Sequence, residues 1–271
     1  MASPFVIEAP AHEDELIKPA LQGTLSVMRA CHANKVRRVS ITSSVVAINS
    51  SDPATQPEVL DETAWSDVNY ARIGAYEKSK TLAEREAWDF VQNLPEHERF
   101  ELTTINPSLI IGPSLIKTDF ASGKILNMFM RNQVPCGIPV ICMALVDVRD
   151  VAQAHLNCLE IDEAQGKRSI LCAESLWMRE IAAILRENFG QYGYPIPNSE
   201  ACYCCIKMAS YLRDDAAKIA SLWGHELRFN NTCSREVLGI DYRPIKDSLK
   251  EMVESMIDLG LLEERRTKDS K

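Results

Sequence analysis

An α/β fold built on a parallel sheet is what this sequence predicts, and three observations carry the prediction. Short β-rich runs at residues 39–43, 100–105 and 169–172 alternate with longer stretches whose apolar residues recur at helical spacing. Alternating strand and helix signals call for crossover connections, which lay parallel strands side by side. The hydrophobic share of 46% and charged share of 25% are ordinary for a soluble globular chain. At 271 residues there is room for one large α/β domain or two small ones.

In chain order, residues 13–34 read as a helix. Leu16, Gly23, Val27 and Cys31 recur near its period, Pro19 marks its first turn or a kink, and Gly23 allows close packing on a sheet. The basic run Lys35-Val36-Arg37-Arg38 leads into the strand Val39-Ser40-Ile41-Thr42-Ser43. Ser44 then sits at its C-terminal end, where open α/β sheets place their ligands. Residues 49–68 are polar and carry Pro53 and Pro57, so a loop is expected. Leu82, Ala83, Ala87 and Phe90 define a helix over 75–92, stopped before Pro95. The strand over 100–105 ends at Asn106-Pro107, and a helix follows around 123–131. The apolar run 140–146 precedes a helix that ends near Leu159. After Gly166 comes the strand 169–172, and a helix is predicted over 175–189. The C-terminal third reads as mostly helical, with a charged tail over 263–271.

Composition excludes several classes of function. A net charge of −8 disfavours a nucleic-acid backbone or an anionic membrane as partner. The most apolar stretch, 134–148, is broken by Pro135, Gly137 and Pro139 and falls short of the roughly 20 apolar residues of a spanning helix. Residues 1–10 have no basic start and no cleavage-type pattern, so no secretory signal is evident. The nine cysteines include one C-x-x-C, Cys202 to Cys205, with Cys204 between them. No second pair follows it, and His225 with Cys233 does not complete a zinc spacing, so no metal site is expected. Reduced cysteines in a cytoplasmic protein are the expectation.

The chemistry gathers at Tyr76-Glu77-Lys78-Ser79-Lys80. Tyr76 and Lys80, four apart, fall on one face of a helix. An ammonium beside a phenol stabilises the phenolate, which turns a group of pKa about 10 into a usable acid or base. Ser44, arriving from a strand end, can hold a substrate oxygen. These three groups suit proton transfer to or from a carbonyl or alcohol oxygen. The bland alternative is that Tyr76 packs and Lys80 is solvated. The strand, loop and helix order around Ser44 and Tyr76 argues against that alternative. Of His12, His32, His97, His155 and His225, which stand apart in sequence, none is assigned catalysis.

At this point the chain resembles the extended short-chain dehydrogenases/reductases, in the dihydroflavonol reductase and cinnamoyl-CoA reductase-like branch. The matching pieces are Lys18-Pro19-Ala20 with Gly23-Thr24, Arg38-Val39 with Thr42-Ser43-Ser44, and Tyr76 through Glu84. Asn106-Pro107 with Gly112-Pro113, Val146 through Ala152, and Val237-Leu238-Gly239-Ile240 complete the series. The resemblance implies a Rossmann-type parallel sheet over residues 1–160. It also implies a smaller, mostly helical substrate-binding region over 161–271, interleaved with 107–145. By the same resemblance Ser44 binds the substrate oxygen, Tyr76 donates the proton, and Lys80 lowers the tyrosine pKa and binds the nicotinamide ribose. Ser3 and Pro4, Tyr76, Lys80, and Pro107, Ser108 and Leu109 would contact the cofactor. Asn49 would contact substrate, with loop capping as the alternative. Asp147 and Arg149 would make buried or interdomain polar contacts rather than catalyse. The implied cofactor is NADP(H), with NAD(H) the alternative. The implied partner is a small carbonyl or alcohol substrate, with no nucleic acid and no membrane.

The resemblance breaks at one place. The family opens with a strand and a G-x-x-G-x-x-G turn whose amides hold the cofactor pyrophosphate. No such turn occurs among the 11 glycines of this chain. Met1-Ala2-Ser3-Pro4 aligns with the end of the family's fourth strand, which implies an N-terminally truncated sheet and weak cofactor binding. Two functions from different classes follow. One is an NADP-dependent oxidoreductase, inactive as the truncated chain. The other is a catalytically inert short form acting as a binding or regulatory subunit; for the chain in either reading, a homo-oligomer or pairing with a full-length relative is the expected assembly.

Overall fold

The computed structural model describes residues 10, 12–118, 120–134 and 136–266. Its strands are β1 (Arg38–Thr42), β2 (Glu101–Pro107), β3 (Leu109–Ile111), β4 (Cys142–Asp147), β5 (Arg168–Leu171) and β6 (Glu174–Trp177). The helices are α1 (Asp14–Ala33), α2 (Val46–Asn49), α3 (Ala75–Gln92), α4 (Ala121–Met130), α5 (Val148–Glu160), α6 (Met178–Phe189), α7 (Tyr203–Ala209), α8 (Asp214–Leu222) and α9 (Ile245–Asp258). They fall into two compact units. The first comprises Met1–Ser108, Asp150–Cys172 and Arg228–Asp241. The second comprises Leu109–Arg149, Ala173–Leu227 and Tyr242–Lys271.

The first unit carries the parallel sheet that the alternating pattern predicts, in the order β1-β2-β5. Thr42 pairs with Ile105 and Thr104 with Arg168. Side chains alternate across β1, as the pleat requires. Val39 and Ile41 pack into an apolar cluster with Met28 of α1, Ala87 and Val91 of α3, and Phe100 and Leu102. Ser40 and Thr42 face the other way. Their hydroxyls meet the two ring nitrogens of His155 on α5, at 2.7 and 2.9 Å. β2 is buried along nearly its whole length.

Helix α1 forms where expected but buries a different stripe. Leu16, Ile17, Ala20, Thr24 and Met28 are inward, whereas Val27 is 44% exposed. Among the described residues a Cβ on Gly23 would meet nothing within 4 Å. The apolar residues of α1 span more than one face, and packing against α3 selects the stripe. Pro19 lies inside the helix rather than at its start.

In the second unit β3 and β4 run parallel, and β6 pairs antiparallel with β4. Residues 175–177, expected to begin a helix, instead belong to β6, and the helix starts at Met178. Pairing with β4 supplies the backbone partners that make a strand of this short segment. Phe129 of α4, Leu185 and Phe189 of α6, and Leu249 and Met252 of α9 form the core. Gly112 follows β3 at φ +116°, and a Cβ there would lie 3.0 Å from Asp147 Oδ2. Only glycine combines that backbone with that approach. No helix among the described residues is long and apolar enough to cross a membrane.

Candidate active site

Ser44 leaves the end of β1 as the pleat predicts. Past the strand proper, Ser43 N donates to Ile105 O at 2.7 Å and Val45 N to Pro107 O at 3.0 Å, so the backbone around Ser44 stays beside the end of β2. The Ser44 hydroxyl accepts from Val46 N at 3.3 Å as the short helix α2 begins. Tyr76 and Lys80 occupy successive turns at the start of α3. The Ser44 hydroxyl and the Tyr76 phenol are hydrogen-bonded to each other. Ser44 thus meets, within the first unit, a tyrosine 32 residues further along the chain.

The electrostatics differ from the sequence expectation in sign. Burial pushes the Tyr76 phenol above its ordinary value and Glu77 adds to the rise, while the Ser44 hydrogen bond draws it partly back. The Lys80 ammonium sits 5.7 Å from the centre of the Tyr76 ring, against its face. Burial pulls that ammonium below its usual value. Desolvation thus outweighs the lowering by Ser44, and the phenol stays protonated at neutral pH. Lys80 has no hydrogen-bond or ion-pair partner among the described residues.

The remaining predicted site residues are distributed as follows. Pro107 ends β2 beside Val45, and Ser108 is buried with its hydroxyl unpartnered among the described residues. Leu109 opens β3 in the second unit. Asn49 closes α2, and its carbonyl rather than its side chain accepts from Gln56 Nε2 at 2.6 Å. Ser3 and Pro4 lie outside the described residues. Asp147 and Arg149 form a pair within the second unit. Arg149 donates to both carboxylate oxygens of the fully buried Asp147, at 2.9 and 2.7 Å, and also pairs with Glu251 at 2.7 Å. His155 is held between two hydroxyls of β1 and faces no reacting group.

Sequence reasoning missed the buried polar cluster behind Ser44. Glu84 of α3 is 2% exposed. Its Oε2 accepts from Ser43 Oγ and from Asn106 Nδ2, the latter at 2.7 Å. Its Oε1 accepts from Thr104 Oγ1 at 3.1 Å and from Arg168 Nε at 2.6 Å. The same Asn106 amide donates to the Ser44 carbonyl at 3.1 Å. Arg168 in turn donates to Glu62 O at 2.8 Å and stacks 3.7 Å from the centre of the Trp65 ring. One signal was available: Tyr76, Lys80 and Glu84 are spaced by four and share a helical face.

A parallel sheet with a serine at a strand end and a tyrosine and lysine one turn apart on the following helix is a Rossmann-type arrangement. The chain belongs to the NAD dependent epimerase/dehydratase family, whose model matches residues 3–173. It is 32% identical to cinnamoyl-CoA reductase CAD2 of Medicago truncatula over 94% of this chain and 71% of that protein. It is 31% identical to the ketoreductase azaE of Aspergillus niger, over 95% of this chain and 74% of that one. Among solved structures it is similar to Gre2 from Candida albicans in its NADPH complex. There the identity is 27%, the TM-score 0.74 and the coverage 95% of this chain and 75% of the other.

The cofactor's nicotinamide half has fitting residues here. Lys80 is a half-buried cation lacking an acceptor, and Ser108 offers a buried hydroxyl without a partner. Ribose hydroxyls and a carboxamide would satisfy both. For the pyrophosphate half this chain contains no glycine-rich turn.

Proposed function

We propose that this protein is an NADP-dependent carbonyl reductase that converts a small aldehyde or ketone to its alcohol. The observation that carries the reading is the hydrogen-bonded Ser44–Tyr76 pair with the acceptor-seeking Lys80 one turn away. When bound, the cofactor supplies hydride to the carbonyl carbon. Ser44 orients the carbonyl oxygen by hydrogen bonding, and Tyr76 delivers its phenolic proton to that oxygen as negative charge develops there. Lys80 holds the ribose hydroxyls and stabilises the phenolate that remains. Pro107, Ser108 and Leu109 line the nicotinamide, and Asn49 contacts substrate. The names of the similar proteins, a cinnamoyl-CoA reductase, a ketoreductase and an NADPH-bound Gre2, support a carbonyl substrate and the phosphorylated cofactor.

The alternative reading is a catalytically inert chain that acts as a binding or regulatory subunit. Titrating the purified chain with NADPH, followed by turnover with methylglyoxal, separates the two. Saturable binding with substrate-dependent NADPH oxidation that Tyr76→Phe abolishes supports the reductase. A folded chain that neither binds NADPH nor oxidises it supports the inert subunit.

A further inference from the structure

We propose that Glu84 is a positioning residue that fixes Ser44 against Tyr76 by tying the end of β1 to helix α3. The inference deepens the reductase reading and rests on it for its catalytic meaning. Its geometric content stands alone. Ser44 and Tyr76 come from elements joined by a long loop, residues 50–74, which by itself fixes neither their separation nor their orientation. Something must lock strand end to helix.

The Glu84 carboxylate does so from the helix side. It lies two turns beyond Tyr76 on the same face of α3, with Lys80 midway. It reaches the strand end by two routes. The first is the Ser43 hydroxyl, on the residue before Ser44. The second is the Asn106 side chain, which spends one N–H on Glu84 at 2.7 Å and the other on the Ser44 carbonyl at 3.1 Å. Ser44 is therefore held through its own backbone and its neighbour, which leaves its hydroxyl for Tyr76. The carboxylate is held in its turn by Thr104 and Arg168, so all four hydrogen bonds it accepts come from buried groups.

Such a network is costly to bury unless every member is satisfied. A neutral, well-packed residue would hold α3 on the sheet at lower cost. The network adds direction: charge-assisted hydrogen bonds of 2.6–2.7 Å fix angle as well as distance. Proton transfer is sensitive to that difference, because a displacement of about 1 Å can cost about a hundredfold in rate.

The test compares Glu84→Gln with Ser44→Ala. The readout is the NMR signal of the Tyr76 hydroxyl-bearing carbon, in protein labelled with carbon-13 at that tyrosine position and assigned with Tyr76→Phe. It needs no cofactor and no turnover. Ser44→Ala should move this signal, and Glu84→Gln should move it in the same direction. Combining the two should add little beyond Ser44→Ala alone. Phe100→Leu, which loosens the apolar core of the same unit without touching the network, should leave the signal in place. If Glu84→Gln does not fold, Asn106→Ser cuts the link to the Ser44 carbonyl while leaving Arg168 and Thr104 on Glu84, and should move the signal likewise. Where the chain turns over, Glu84→Gln should lower kcat about ten- to a hundredfold with little change in KM for NADPH. A folded Glu84→Gln protein whose Tyr76 signal matches the wild type overturns the proposal, as does Phe100→Leu moving the signal equally. A chain without turnover counts against the reductase reading alone, since the NMR comparison still decides the role of Glu84.

Discussion

The proposed chemistry rests on one phenol, one hydroxyl and one ammonium, those of Tyr76, Ser44 and Lys80, and their environments decide what each can do. Burial raises the Tyr76 phenol, so it stays protonated across neutrality, as the proposed donor must. The rate of carbonyl reduction should therefore be flat through neutral pH and fall only above the ordinary phenol value of about 10. A pH profile of kcat checks this, and a decline beginning near neutrality would contradict it. Tyr76→Phe should lower kcat by about a hundredfold or more, the usual share of a positioned general acid, with NADPH affinity nearly intact. His155 makes a separate prediction about stability. Burial lowers its folded pKa, so the unfolded chain binds the proton more readily. Stability should then drop as pH falls below the unfolded value of about 6.5. Urea midpoints on either side of that value should diverge in the wild type, and the divergence should shrink in His155→Asn.

Helices and strands act as rulers in this protein. Helix α3 carries Tyr76, Lys80 and Glu84 on one stripe, so its docking on the sheet places the acid, the cation and the anchoring carboxylate together. Most elements were legible because their periods are strong. The alternation in 39–43 gives an apolar side facing α1 and α3 and a hydroxyl side facing His155. Two readings failed for physical reasons. Residues 174–177 are too short for a period to declare itself, and pairing with β4 makes them a strand. In α1 the sequence offered apolar residues on neighbouring faces, and contact with α3 chose between them. The turn after β3 supplies a prediction at this scale. Gly112→Ala must hold φ near +116° with a new carbon 3.0 Å from the Asp147 carboxylate. It should cost about 1–3 kcal/mol, the range for a non-glycine residue in a strained backbone region, and denaturant melts would register it. Wild-type stability would show that the turn relaxes.

For the molecule as a whole, the two units have different contents. The first holds Ser44, Tyr76, Lys80 and the Glu84 network, and the second holds its own apolar core and the buried Asp147–Arg149 pair. The chain spans 71–74% of the two curated relatives compared above. Residues suited to the nicotinamide are present, and the pyrophosphate turn is not in this sequence. If the nicotinamide half suffices, NADPH at about a hundred times its Kd should add about 2.7 kcal/mol of stability and raise Tm by several degrees. A melting curve with and without NADPH makes the comparison. An unchanged Tm at high cofactor concentration would mean that the residues near Lys80 do not hold it alone.

By itself the sequence determined the parallel α/β architecture, the helical face shared by Tyr76 and Lys80, and the strand-end position of Ser44. Those follow from local periods of two and of 3.6, which are written in neighbouring residues. Only the tertiary structure decided the state of the phenol, the partners of Glu84 and the inward stripe of α1. Each depends on what residues distant in sequence bring to the same place. Arg168 reaches Glu84 from a strand 84 residues away, and Asn106 joins it to Ser44 across two more elements. Burial, the quantity that sets the sign of the Tyr76 shift, does not exist until those elements pack.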